Sequence, residues 1–304
     1  DSISSGKLKN GDSIDMGAGD DTLSMMINGS YGTPTIAGAS FAKLDGGAGT
    51  DTINWGESIS ADGQSLTLTT GGAVNFENLT GSGYADTLTG DDNANVLSGG
   101  SGLDTLYGLG GNDTLYAGNS TQYDTTCLNS TYICAGTDSD NDILYGGAGD
   151  DSLGGNAGNN TLDGGTGKDI ITSGSGSDTI VIRSGDGSTD IANADILTDF
   201  TDGTDVIGMS GLTFDELTIA QGSGDYASHT LISVVDSGEY LLVLQNTTAS
   251  NVTVVDFVLH TSTAQTLSGN SSNNTLVGGL GNDTFTTGSG TDSIYAHAGD
   301  DTIT

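Results

Sequence analysis

The sequence predicts an all-β chain wound as a parallel β-roll, a β-solenoid interrupted by irregular β-rich insertions. Three observations point there. A nine-residue unit, Gly-Gly-x-Gly-x-Asp-x-apolar-x, recurs in one frame along most of the 304 residues, as in Gly146 to Gly154, and self-similarity at that period marks a coil of stacked loops and short strands. Glycine outnumbers proline 51 to 1, a composition that favours an elongated solenoid. The third is a charge imbalance: 5 Lys plus Arg against 40 Asp plus Glu, a formal net charge of -35. Such a chain repels itself and needs counter-charge to become compact. Its hydrophobic residues, 34% of the total and regularly spaced, allow folding once the carboxylates are neutralised.

The repeat frame divides the chain in order. Residues 1–54 form an N-terminal roll block with an insertion. There Asp12 and Asp21 each stand two residues before an aliphatic, Ile14 and Leu23, and an unbroken unit runs from Gly46 to Asn54 with Gly47, Gly49 and Asp51. Residues 55–80 form an irregular β lead-in. Residues 81–181 are the central roll, with a loop insertion at 117–136. Its sixth positions are Asp86, Asn95, Asp104 and Asp113, then Asp142, Asp151, Asn160, Asp169 and Asp178. Across residues 182–264 the frame vanishes, and a β-rich bridge or cap is expected. Its strands are Leu231 to Val235, Tyr240 to Leu244 and Val252 to Leu259, rich in β-branched and aliphatic side chains. Residues 265–304 are the C-terminal roll block, carrying Asn274, Asp283, Asp292 and Asp301 at position six.

Each position of the unit has a physical reason. Glycine lets the loop adopt positive φ and lets carbonyls crowd inward where a Cβ would obstruct. Besides Gly47 and Gly49 these are Gly100, Gly102, Gly111, Gly147, Gly149, Gly165, Gly167, Gly174, Gly176, Gly279, Gly281, Gly288, Gly290 and Gly299. The three residues after the carboxylate make a short strand whose middle side chain points to one face and its neighbours to the other. Leu106, Leu115, Leu153, Ile171 and Ile180 therefore face inward, and the flanking Thr and Tyr outward. Two units make one turn with a strand on each side and a loop at each edge, so like-sided loops stack two units apart. A hard cation taking six to eight oxygens from carboxylates and carbonyls suits such stacked loops, whereas magnesium demands a tight octahedron and keeps its waters. Calcium is the expected ion, with several sites, about seven if stacked loops in unbroken runs share one ion each.

These runs resemble the RTX family, the hemolysin-type calcium-binding repeats of type I-secreted bacterial adhesins, surface-layer proteins and exoenzymes. The resemblance implies a right-handed roll, export in an unfolded state and folding on meeting extracellular calcium. The run Asp195 to Phe200, followed by Gly203 to Ile207, is similar to the segment after the roll in serralysin-type proteases, and a calcium is expected near Asp199 and Asp205. Phe76 to Ser82 is similar to the lead-in of repeat blocks in large adhesins of this family. Asn95, Asn160 and Asn274 depart from the position-six aspartate, and Tyr84, Leu109 and His297 stand at glycine positions. Those sites are expected to be weaker or lost.

Other chemistries fit the residues less well. Among 40 carboxylates an acid-base pair can always be named, so their abundance carries no catalytic information. His229, His260 and His297 form no His-Glu-x-x-His motif, and no Gly-x-Ser-x-Gly elbow is present. Tyr107, Tyr116, Tyr145 and Tyr295 hold the outward ninth position, but consecutive units place Tyr107 and Tyr116 on opposite faces, against a carbohydrate-binding stripe. The variable loop residues argue against an ice-binding face. Five scattered cations build no basic face for nucleic acid or anionic membrane, and no apolar run is long enough to span a bilayer. Cys127 and Cys134, close together in a polar segment, are expected to form a disulfide in an oxidising compartment, with two free thiols as the alternative. No secretory signal opens the sequence, consistent with a processed chain, a fragment or another export route. Both ends fall within repeat units, so a fragment flanked by further domains is expected, with end-to-end self-association as the alternative. The function expected is a non-catalytic calcium-binding segment of a secreted, extracellular or cell-surface bacterial protein, as adhesin stalk, surface-layer or filament component. The alternative is the secretion and folding module of an exported hydrolase whose catalytic domain lies outside this chain.

Overall fold

The computed structural model describes residues 2–5, 13–25, 43–54, 65–67, 73–118 and 141–304. Asp12, Cys127 and Cys134 lie outside them. Among the described residues the regular structure is β-strand with short 3-10 turns and no α-helix, so no helix is long and apolar enough to cross a membrane. Two compact units are distinguished, Asp1–Gly165 with Thr172–Gly176, and Thr166–Ile171 with Ser177–Thr304.

In the first unit Ser13–Asp15, Lys43–Asp45 and Ala73–Val74 form a small parallel sheet, and the chain otherwise feeds two larger parallel sheets. One holds Thr22–Met25, Thr52–Asn54, Asn78–Thr80, Val96–Gly100, Thr114–Gly118 and Ser152–Gly154, and the other Ser65–Thr67, Thr87–Thr89, Thr105–Gly110, Ile143–Ala148 and Thr161–Thr166. From Asn78–Thr80 onward each loop carries the chain across to the opposite sheet, so a strand pairs with the one two units later. Leu88 thus lies beside Leu106, and Leu97 beside Leu115. The long insertion after residue 118 leaves this register intact, because Leu106 still pairs with Leu144 and Leu115 with Leu153.

Strand alternation turns the eighth position inward. Leu23, Ile53, Leu79, Leu97, Leu115 and Leu153 on one side, and Leu88, Leu106, Leu144 and Leu162 on the other, are completely buried. Each contributes roughly 1.5–3 kcal/mol of apolar burial. Flanking residues stay half-exposed, as in Thr87–Thr89. Tyr107 and Tyr145 stack outside one sheet with centroids 5.1 Å apart, while Tyr116 belongs to the other.

The second unit keeps roll geometry where the glycine frame is absent. Ile171 pairs in parallel with Leu197 and Ile180 with Ile207, and Leu197 and Ile207 are fully buried. Asp195-Ile196-Leu197 and Asp205-Val206-Ile207 preserve only the acidic-x-aliphatic half of the repeat. An antiparallel meander, Leu217–Gln221, Thr230–Val234 and Tyr240–Leu244, joins Asp195–Leu197 through the pair Ile196 and Val243. Leu217–Gln221 adds to the expected strands. Val252 to Leu259 is not one strand: only Phe257–Leu259 is, and Val254–Asp256 is a 3-10 turn because Asp256 Oδ2 accepts the Thr253 N–H at 2.7 Å. Beyond it, Thr266–Ser268, Thr284–Thr286 and Thr302–Ile303 form one parallel ladder and Thr275–Val277 pairs with Ser293–Tyr295.

The columns make a direct prediction. Leu115→Ala should lower stability by about 3 kcal/mol in denaturant unfolding at fixed ionic conditions. Leu103→Ala, at a side chain 57% exposed, should change it by less than about 0.5 kcal/mol.

Candidate metal centre

Position-six side chains form hydrogen-bonded ladders along the loops. In the first unit the Asp86 N–H donates to Asp104 Oδ1 at 2.7 Å, the Asp104 N–H to Asp142 Oδ1 at 2.7 Å and the Asp142 N–H to Asn160 Oδ1 at 2.8 Å. In the loops feeding the other sheet, the Asn95 N–H reaches Asp113 Oδ1 at 2.8 Å and the Asp113 N–H reaches Asp151 Oδ1 at 2.7 Å. Nearer the N-terminus the Asp21 N–H donates to Asp51 Oδ1 at 2.8 Å and the Asp51 N–H to Glu77 Oε2 at 2.7 Å. In the second unit the same step links Asp169 to Asp195 (2.9 Å), Asp178 to Asp205 (3.2 Å), Gln265 to Asp283 (2.8 Å), Asp283 to Asp301 (2.7 Å) and Asn274 to Asp292 (2.9 Å). Glu77, Asp195 and Gln265 are rungs that the nonapeptide frame does not mark. Their signal is an acidic or amide residue two places before a buried or half-buried aliphatic: Leu79, Leu197 and Leu267.

One carboxylate oxygen is therefore committed to the backbone, and the other decides the chemistry. The Oδ2 atoms of Asp51 and Asp113 are buried with no hydrogen-bond partner, an arrangement that is costly for a charged group without a counter-ion. The neighbouring glycines leave room for one. A Cβ on Gly108 would strike Asp113 Oδ2 and the Gly146 carbonyl oxygen, one on Gly99 would strike Asp104 Oδ2 and the Ala117 carbonyl, and one on Gly146 would strike Asp151 Oδ2 and the Gly164 carbonyl. A carboxylate oxygen and a carbonyl oxygen from the next turn thus converge beside the first glycine of these three repeats. These first glycines are needed for room, since none of the three has left-handed φ. They belong with the loop glycines named from the sequence.

The second and fourth positions need the backbone freedom instead. Gly147 and Gly149 lie at φ 114° and 139°, and Gly47, Gly49, Gly100, Gly102, Gly111, Gly165, Gly167, Gly174, Gly176, Gly288, Gly290 and Gly299 are also left-handed. Gly279 and Gly281 are not. Leu109 takes φ 80° despite its Cβ, a strain of about 1–2 kcal/mol, and His297 sits at φ 61°.

Among the described residues no three carboxylate, histidine or cysteine side chains converge as a metal cluster. A cation here would draw on few carboxylates and on loop carbonyls, an all-oxygen donor set suited to a hard ion of flexible coordination. Asp205 is arranged differently. Its Oδ1 accepts the Asp178 N–H and its Oδ2 accepts the Thr201 N–H at 2.7 Å. Asp199 is half-buried, and its charge adds to burial in raising the Asp205 pKa.

Burial pushes the Asp113 carboxyl up to about 7, with the charges of Asp151 and Asp91 adding to it and the Asn95 N–H opposing it. Asp51 and Asp151 are raised by burial first as well. A carboxyl whose folded pKa exceeds its unfolded value stabilises the metal-free fold below the ordinary carboxylate range, and that stability is lost as pH rises towards about 7. In chelator, circular dichroism should therefore show less folded chain as pH rises from about 5 to 8. With a divalent cation competing against the proton for the same oxygen, the dependence should reverse. Gly108→Ala, which fills the space beside Asp113, should remove one bound ion per chain in equilibrium dialysis.

Comparison with known proteins places these loops. The model of the RTX calcium-binding nonapeptide repeat matches at residues 75–106, 89–120, 137–162, 155–180 and 268–303. Among solved structures, the AlgE6R3 subunit of the Azotobacter vinelandii mannuronan C5-epimerase, determined in solution, is similar at 20% identity over 58% of this chain and 78% of that chain, with a TM-score of 0.21. No curated protein matches the chain.

Proposed function

From the premise that this chain is an RTX calcium-binding nonapeptide repeat protein, we propose that it is a non-catalytic structural segment of a secreted bacterial surface protein. It would serve as adhesin stalk, surface-layer component or filament unit, and fold when it meets extracellular calcium. The observation that carries the reading is the buried, unpartnered Oδ2 of Asp51 and Asp113, the latter facing a loop carbonyl. Asp113 Oδ2 with the Gly146 carbonyl, Asp104 Oδ2 with the Ala117 carbonyl and Asp151 Oδ2 with the Gly164 carbonyl would hold calcium. Asp21, Asp51, Asp142, Asp169, Asp178, Asp292 and Asp301 are the further carboxylate ligands proposed. When bound, calcium supplies positive charge to carboxylates that otherwise repel each other and pay for their own burial.

A net charge of -35 supports a chain that stays unfolded until neutralised. Because the loops meet only when the roll forms, binding free energy becomes folding free energy. Extracellular calcium modules are tuned to dissociation constants of about 0.1–1 mM, so the roll would fold after export. Circular dichroism should change from disordered to β on titration to about millimolar calcium, and chelation should reverse it. A chain fully folded in excess chelator would contradict the reading. The surface role is tested by the parent gene: long tandem domains support it, and a catalytic domain preceding the repeats opposes it.

A further inference from the structure

We infer that the column of ions is interrupted by loops that the protein closes by itself, and that these include that of Asp86, where Tyr84 takes a glycine position, and that of Asp283, whose repeat is complete. The inference rests on the calcium reading and narrows which loops take part. In both loops the second-position N–H turns back onto the sixth-position carboxylate. Ser82 N–H donates to Asp86 Oδ2 at 2.6 Å, and Gly279 N–H donates to Asp283 Oδ2 at 2.8 Å. The Ser82 hydroxyl adds a second donor, 3.0 Å from the same oxygen. The oxygen that Asp113 leaves open is here occupied by a backbone donor.

A backbone choice separates the two states. Leu109, in the open loop of Asp113, has φ 80°, whereas Ser82 and Gly279 are outside the left-handed region. Left-handed φ at this residue turns its N–H away from the carboxylate and leaves Oδ2 for a cation. The other conformation puts a polarised N–H where the cation would be. Sequence alone does not reveal the choice, since Gly278-Gly279-Leu280-Gly281-Asn282-Asp283 matches the repeat at every fixed loop position.

The loop of Asn160 closes in a related way. Asn160 Nδ2 donates to its own first-position carbonyl, Gly155, at 2.8 Å, so a neutral amide nitrogen stands beside Gly155 where Asp113 presents Oδ2 beside Gly108. An amide supplies a donor and an acceptor from one side chain, which a carboxylate cannot do without a proton. Closed loops therefore keep turn geometry without calcium and hold the register between ion-bearing turns.

Counting bound calcium at saturation, by equilibrium dialysis with atomic emission, tests this. Asp113→Asn should lose one ion per chain, while Asp86→Asn and Asp283→Asn should keep the wild-type count. Loss of an ion from either of the latter would overturn the inference. Crystals of the wild-type chain grown with calcium give a reading independent of variant folding. Anomalous density should appear beside Asp113 Oδ2 and be absent beside Asp86 and Asp283; density at all three would overturn closure of these loops while leaving calcium binding intact. No ion at any loop would overturn the calcium reading and the inference together.

Discussion

A carboxylate buried at the edge of a turn has two oxygens to satisfy, and at Asp113 the folded backbone offers a donor for only one. Asp113 shows the constraint in full: the Asn95 N–H holds Oδ1 at 2.8 Å, while Oδ2 is buried with no hydrogen-bond partner. The amide bond fixes where the next turn stacks, and the remaining oxygen fixes what the stack requires. A protein-built turn must either admit a cation there or supply another donor.

The rest of the roll follows from meeting that condition repeatedly. An N–H that donates to a carboxylate one turn on sets a vertical spacing of 18 residues wherever the repeats are uninterrupted. The same register stacks Leu97 on Leu115 and Leu88 on Leu106. Thus the electrostatic edge and the apolar interior share one register. Glycine serves two needs that look alike in sequence. At Gly147 it supplies a left-handed backbone, and at Gly146 it leaves room beside Asp151 Oδ2.

Much of this was legible because the repeat couples chemistry to position. A carboxylate two residues before an aliphatic predicts both the ladder and the core column, and Leu106, Leu115 and Leu153 are buried as that spacing requires. Legibility ended where one half of the unit survived alone. Glu77, Asp195 and Gln265 continue the ladders without the glycines that make a repeat visible. Asp256 misled in the other direction, because its carboxylate captures the Thr253 N–H and turns part of an apparent strand into a 3-10 turn. The conformation of Gly279 was hidden for a different reason: glycine permits both backbone states, so matching the repeat does not select between them.

Residue-resolved amide hydrogen exchange, with calcium and then in chelator, tests most directly whether the carboxylate ladder depends on the cation. The amides of Asn95 and Asp104, each bonded to a carboxylate one turn on, should be among the slowest to exchange in calcium and should lose their protection together when it is removed. Equal protection of those amides in chelator would show that the ladder stands without an ion, and would contradict the central role given to the unpartnered carboxylate oxygen.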